Sequence, residues 1–155
     1  MTEETSVPSL NKYWTNIGQK KSALDKTLNM NKNCYCGSEK SYQECCEIRH
    51  HDLKTVENAE QLMRARYSAF CLGLIDFLYQ SFHPSSRRFQ KKTEIAQWSK
   101  ENQWVGLEVL KATENTVEFK ARFIAPDAVA YVHHEKSRFQ KLHGTWYYVD
   151  GKIIT

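Results

Sequence analysis

The sequence predicts an α+β domain preceded by a small metal-binding loop, on three observations. Apolar residues recur at spacings of three and four from Ala59 to Trp98, the period then changes to two between Val105 and Val149, and four cysteines crowd into residues 34–46. Helices followed by antiparallel strands make an α+β layer arrangement. The chain of 155 residues, 41% hydrophobic and 26% charged, has a globular composition, and area scaling lets a chain of this mass bury about 70% of its extended surface. It needs no disulfides to build a core.

The first helix is marked by Ala59, Leu62, Met63, Tyr67 and Phe70, and Gly73 separates it from a second carrying Ile75, Leu78, Tyr79 and Phe82. His83-Pro84 stops that second helix, because the residue before a proline is pushed out of the helical region. Thr93 is the expected N-cap of a third, shorter helix with Ile95, Ala96 and Trp98, ending near Asn102. Four strands follow. Val105, Leu107 and Val109 alternate, as do Val117, Phe119, Ala121 and Phe123; a long run reaches Leu142, and Trp146 to Val149 follow the turn residues His143-Gly144.

The cysteines carry the chemistry. Cys34, Cys36, Cys45 and Cys46 stand in the frame C-Y-C-G-S-E-K-S-Y-Q-E-C-C, two close pairs separated by eight residues. A tetrahedral ion needs four soft donors at ~2.3 Å, and a short loop closed by two local pairs supplies them with little closure entropy. One structural Zn²⁺ per chain is the expected occupant. Gly37 lets the backbone fold beneath the first pair, Ser38 can bond local amides, and Tyr42 gives the loop an apolar lid. Two disulfides are the competing reading, disfavoured because Cys45 and Cys46 are adjacent and a reducing compartment opposes them. His50 or His51 could replace Cys46 as fourth ligand, but four thiolates already close the site and both histidines read as exposed in a polar linker. Cys71, amid Phe70 and Leu72, reads as a core thiol.

The stretch from Cys34 to Cys46 resembles the SEC-C motif, named for the C-terminus of the SecA translocation ATPase, where a similar C-x-C-G-S loop closes on Cys-Cys or Cys-His around zinc. L-M-R-A-R-Y-S-A-F from Leu62 to Phe70, His83-Pro84, W-V-G-L at 104–107, K-S-R-F at 136–139 and W-Y-Y-V-D-G at 146–151 are similar to the YchJ family. The resemblance implies a cone related to nuclear transport factor 2, a curved antiparallel sheet of about four strands with three helices, joined to a zinc knuckle. It implies no particular reaction. Two features depart from many relatives: residues 1–33 precede the first cysteine, and no second copy of the motif appears.

The chain thus divides into an arm at 1–33, a knuckle at 34–50 and a cone at 55–155. In the arm, Leu10, Tyr13, Trp14 and Ile17 fall at helical spacing, suiting either a short helix that docks on the body or a partner, or a loose end. The knuckle, with almost no apolar residues of its own, is expected to unfold without metal while the cone persists. Inside the cone, the parity set by Val129, Tyr131 and Phe139 turns His133, Glu135 and Ser137 inward. Glu135 then either pairs with Arg64 or Arg66, or acts as a desolvated base of raised pKa with Tyr67, His83 and Asp150 around it in a ligand cavity.

The net charge of +4, split as +1 over residues 1–50 and +3 beyond, is too small and dispersed for general polyanion binding. Arg87, Arg88, Lys91 and Lys92 around Phe89 could meet phosphates but fit a solvated linker better. No phosphate loop and no G-x-S-x-G elbow occurs. The acidic start Met1-Thr2-Glu3-Glu4-Thr5 is no secretory signal, and no window nears the ~18 apolar residues of a membrane span. The expectation is therefore a cytoplasmic protein whose knuckle docks on another protein, as the SecA tail docks on a chaperone. The alternative is a small enzyme or ligand carrier using the cone, with zinc structural only; nucleic-acid binding ranks third.

Overall fold

The computed structural model describes residues 33–155; the helix considered for residues 10–17 lies outside them. After a 3₁₀ turn at Tyr42–Glu44 come α1 (Cys46–His51), a second 3₁₀ turn at Leu53–Thr55, α2 (Ala59–Leu72), α3 (Ile75–Gln80), α4 (Pro84–Arg87) and α5 (Lys92–Glu101). Four strands follow, β1 (Gln103–Ala112), β2 (Thr116–Ile124), β3 (Ala130–Leu142) and β4 (Thr145–Ile153), in the order β1-β2-β3-β4 and antiparallel throughout. The fold is α+β, with helices packed on one face of a curved sheet.

Local chemistry explains the boundaries. Asn58 caps α2 by accepting from the Gln61 amide at 2.8 Å, and Gly73 ends it in the left-handed region at φ 72°. The His143-Gly144 turn takes positive φ at both residues, 51° and 83°, the primed-turn geometry that matches strand twist. Thr93 is not a cap: α5 starts one residue before it, with Lys91 at the cap and no side-chain bond there, so Thr93 lies in the first turn. Asn102 does close α5, its Nδ2 donating to the Trp98 carbonyl at 2.8 Å. Two short helices, α1 and α4, have too few residues to show a period.

Leu62, Met63 and Tyr67 of α2 pack on Val117, Phe119, Ala121, Phe139 and Trp146 of the sheet. Ala69, Leu78, Phe82 and Ile95 bind the helices to one another. Two bulges bend β1, at Val105 and Leu110, and a third sits in β4 at Val149, where Tyr148 pairs with Phe139 but Asp150 pairs with Arg138. An extra residue there reverses the facing of everything beyond it.

Candidate metal centre

The four cysteines come together. Their sulfur atoms all lie within 4.8 Å of one another, with Cys36–Cys45 at 3.6 Å and Cys45–Cys46 at 3.9 Å. Tetrahedral ligands at ~2.3 Å from an ion stand about 3.8 Å apart, so the donor set fits a metal. All four are free thiols rather than disulfides. Backbone bonds shape the loop: the Cys34 amide donates to the Lys40 carbonyl at 2.6 Å and the Gly37 amide to the Cys34 carbonyl at 3.2 Å. Gly37 takes φ 81°, the left-handed backbone that favours glycine, while a methyl there would make only an ordinary contact with the Leu107 carbonyl of β1 at 3.4 Å.

Thiol–thiol bonds alone distribute protons unevenly over this set. Hydrogen bonds from Cys36 and then Cys46 hold Cys34 far below the ordinary thiol range. Cys36 is pushed up to about 11 by its bond with Cys34, and Cys46 rises much further through Cys34 and Cys36. Four close thiolates repel one another until a cation joins them, which is the electrostatic case for a divalent ion.

The cone supplies part of the centre. Ser68, wholly buried on α2, donates to Cys46 Sγ at 3.3 Å and lies 3.6 Å from Cys34 Sγ. Ser38 stands 3.1 Å from Cys45 Sγ. Arg64 of α2 donates to the Cys36 carbonyl at 2.6 Å and Arg49 of α1 to the Cys45 carbonyl at 3.0 Å. Cys34, Cys36 and Cys46 share an apolar cluster with Ala65, flanked by Phe77 and Leu107. The knuckle, with almost no apolar residues of its own, takes its apolar wall from the cone. Ser68 has one sequence signal, a polar residue on the buried face between Ala65 and Ala69.

His50 is no ligand, and it is not free in a linker. It sits in α1 with Nδ1 accepting from the Tyr42 hydroxyl at 2.8 Å and Nε2 donating to the Ala65 carbonyl at 2.7 Å, an assignment of the ring proton that the two partners dictate. His51 is exposed beside Glu47 at 3.7 Å. Burial lowers the His50 pKa despite the Ala65 bond. A neutral buried imidazole stabilises fully above the unfolded value of ~6.5, and that contribution is lost as pH falls through its lowered folded value. Nitrogen-15 shifts recorded at neutral pH should therefore show the Nε2–H tautomer; an Nδ1–H tautomer would refute the assignment.

The cavity candidates do not converge. Glu135 does face inward, only 4% exposed, but neither arginine pairs with it. Its oxygens accept from His133 Nε2 at 2.7 Å, Ser137 at 2.6 Å and the Tyr148 hydroxyl at 2.6 Å. Burial pushes its pKa up, yet the bonds from His133, Ser137 and Tyr148 outweigh burial and leave it below the usual carboxylate range. These three bonds favour the carboxylate over the raised pKa expected of a desolvated base. Arg66 instead lies between the Phe82 and Tyr148 rings, 4.5 and 4.3 Å from their centroids, and donates to Ser81 and the Leu78 carbonyl. Arg64 is held by Glu60 at 3.0 Å and by the knuckle.

Asp150 points outward and is exposed, in a two-pronged pair with Arg138 at 2.7 and 2.6 Å, beyond the Val149 bulge that shifts the facing of the end of β4. Tyr67 is buried in the core against Trp104. His83 caps α4, its Nδ1 bonded to Ser85, beside Tyr147. Cys71 is a half-buried thiol pushed up to about 12 by burial. In the basic segment Lys92 pairs with Asp76 at 2.9 Å and Arg87 caps the Gln80 and Phe82 carbonyls, while Phe89 is exposed.

The family described as YchJ, middle NTF2-like domain, matches residues 58–151, and the SEC-C motif matches residues 30–48. The chain belongs to the YchJ family. Within that family it is 44% identical over 128 residues to a UPF0225 protein of Vibrio parahaemolyticus, covering 79% of this chain and 75% of the relative. A UPF0225 protein of Geobacter sulfurreducens is 35% identical over 76% of this chain and 77% of its own. Among solved structures, a SEC-C motif containing protein from Rhodopseudomonas palustris superposes with a TM-score of 0.71 at 33% identity, covering 79% of this chain and 99% of that one. Another from Psychrobacter arcticus gives 0.65 at 29% identity, over 83% and 86%. The YchJ assignment matches the cone and the SEC-C match spans all four cysteines.

Proposed function

We propose that this YchJ family member is a cytoplasmic zinc-binding protein in which Cys34, Cys36, Cys45 and Cys46 hold one structural Zn²⁺ and the SEC-C knuckle so fixed docks on another protein. The observation that carries the reading is the convergence of four free thiols at metal-ligand spacing. Four thiolates complete a tetrahedron and leave no open position for substrate or water, so such an ion would stabilise rather than catalyse. Tyr35 and Ile48, exposed on the knuckle, offer apolar contacts to a partner. Free thiols suit a reducing compartment, and among the described residues no helix is long and apolar enough to cross a membrane.

Elemental analysis of protein purified without added metal should return one zinc per chain, with the four thiols slow to react until a chelator is added. Zinc near zero, with four freely titratable thiols, sinks the reading. Docking is tested by affinity capture with wild type beside Cys45→Ser: an identified partner held by the first and lost by the second supports it, and equal capture by both refutes a role for the knuckle.

One observation favours a second reading, a ligand carrier or small enzyme centred on the cone: the inward carboxylate–imidazole pair of Glu135 and His133. A small molecule found by screening that binds wild type, and no longer binds a stably folded Glu135→Gln variant, would put this reading first.

A further inference from the structure

We propose that Cys45 is the thiolate through which hydroperoxides attack this metal centre, and that its oxidation to a Cys36–Cys45 disulfide releases the ion. The inference rests on the zinc reading above and adds a modification site to it. Three of the four ligands are sealed: Cys36 has no exposed surface, Cys46 has 2% and Cys34 has 4%. Cys45 alone among them is only half-buried. It lines a cleft of about 270 Å³ between the knuckle and α2, large enough to admit a peroxide; Cys46 borders the same cleft but with only 2% of its surface exposed.

The cleft also holds the groups such a reaction needs. Attack of the Cys45 thiolate on a hydroperoxide forms an S–O bond and breaks the O–O bond, giving the sulfenic acid and expelling an alkoxide, or hydroxide from hydrogen peroxide itself. That leaving anion needs a cation and a proton. Lys40, Arg49 and Arg64 line the same cleft with Glu44 and Glu60, Arg64 being paired with Glu60, and Arg49 is anchored in place by the Cys45 carbonyl at 3.0 Å and Gln61 at 3.3 Å. Ser38, 3.1 Å from the sulfur, steadies it. A second thiolate then attacks the oxidised sulfur, forming S–S, breaking S–O and releasing hydroxide, which the buffered solvent neutralises to water. Two electrons pass from the pair of sulfurs to the peroxide; zinc, which has no redox chemistry, takes no part.

Geometry selects the second thiolate. Cys36 Sγ is 3.6 Å from Cys45 Sγ and nine residues away in the chain. Cys46 Sγ is farther, at 3.9 Å, and a bond between adjacent cysteines closes an eight-membered ring around one peptide, which strains a trans amide. Once Cys36 and Cys45 are joined, only Cys34 and Cys46 remain as thiolate ligands, half the set a closed zinc site uses, and the ion departs. Cys71, whose thiol is held protonated by burial, does not compete.

The test uses the full-length protein, its zinc content measured first, exposed to hydrogen peroxide with a chromophoric chelator reporting zinc. Dimedone trapping and non-reducing peptide mapping locate the oxidised sulfurs. The expected result is the first dimedone adduct on Cys45, then a Cys36–Cys45 disulfide, with one zinc released per disulfide and recovered on reduction. Cys45→His, which keeps a nitrogen ligand for zinc, should release it at least tenfold more slowly. A first adduct on another cysteine, a different disulfide, or equal release from Cys45→His would each overturn the inference while leaving the zinc site standing. Protein that holds no zinc before oxidation would instead remove the metal reading, and this inference with it.

Discussion

Chelation of the metal is expected to lower the melting temperature of the whole protein by about 10 °C and to erase α1, while the sheet and α2 stay folded. The cause is the shared wall between knuckle and cone. Cys34, Cys36 and Cys46 pack with Ala65, Phe77 and Leu107, Ser68 donates to Cys46, and Arg64 donates to the Cys36 carbonyl. Releasing the ion frees a loop that has no other core, exposes that wall to water and leaves the buried Ser68 hydroxyl without its sulfur partner. These losses sum to about 2 kcal/mol for the cone, and each kcal/mol moves the midpoint by roughly 4–8 °C in a domain of this size. A larger cluster, from Val56 to Trp146, contains none of the four ligand sulfurs, shares only Phe77 and Leu107 with that wall and keeps the cone folded. Calorimetry with and without chelator measures the shift. An unchanged midpoint would mean that the knuckle is independent, and complete unfolding that the cone has no stability of its own. Ser68→Ala should give a smaller drop together with weaker zinc retention in chelator competition, whereas a core substitution away from the sulfurs, Met63→Leu, should not alter zinc retention.

How much of this was legible depended on sequence separation. The metal centre is local: four soft ligands in residues 34–46 announce themselves by spacing, because chain closure alone can bring them together. The helix and strand periods likewise placed α2, α3 and the four strands, and parity alone turned Glu135 inward. What failed was non-local. Ser68 is 22 residues from Cys46 and His50 is 15 from its acceptor Ala65, and no local pattern joins them. Arg66 looked like the partner of Glu135, yet two aromatic faces and the end of α3 satisfied it better than a carboxylate already filled by three donors. Asp150 was grouped with the cavity, yet one extra residue at Val149 turns it outward, a bulge that no local pattern announces.

Glu135→Gln should cost about 3 kcal/mol, against within ~0.5 for an exposed glutamate. The amide matches the carboxylate in shape, so the loss is electronic. One of two acceptor oxygens becomes a donor and must face either His133 or the pair of hydroxyls from Ser137 and Tyr148, all of which already donate. Gly151→Ala should cost at least as much, because a methyl at that position would overlap the Glu135 carboxylate, which three short bonds prevent from swinging aside. Since the folded pKa of Glu135 is lowered, its contribution is complete above the unfolded value of ~4.3 and disappears as pH falls through the folded value. Wild type should therefore lose stability steeply below about pH 4, and Glu135→Gln should flatten that limb by removing the titrating group. Denaturant titrations of both proteins from pH 3 to 7 measure it: parallel acid limbs would show that Glu135 is not the group responsible, and an unchanged stability at pH 7 would show that the buried network does not hold β3 to β4.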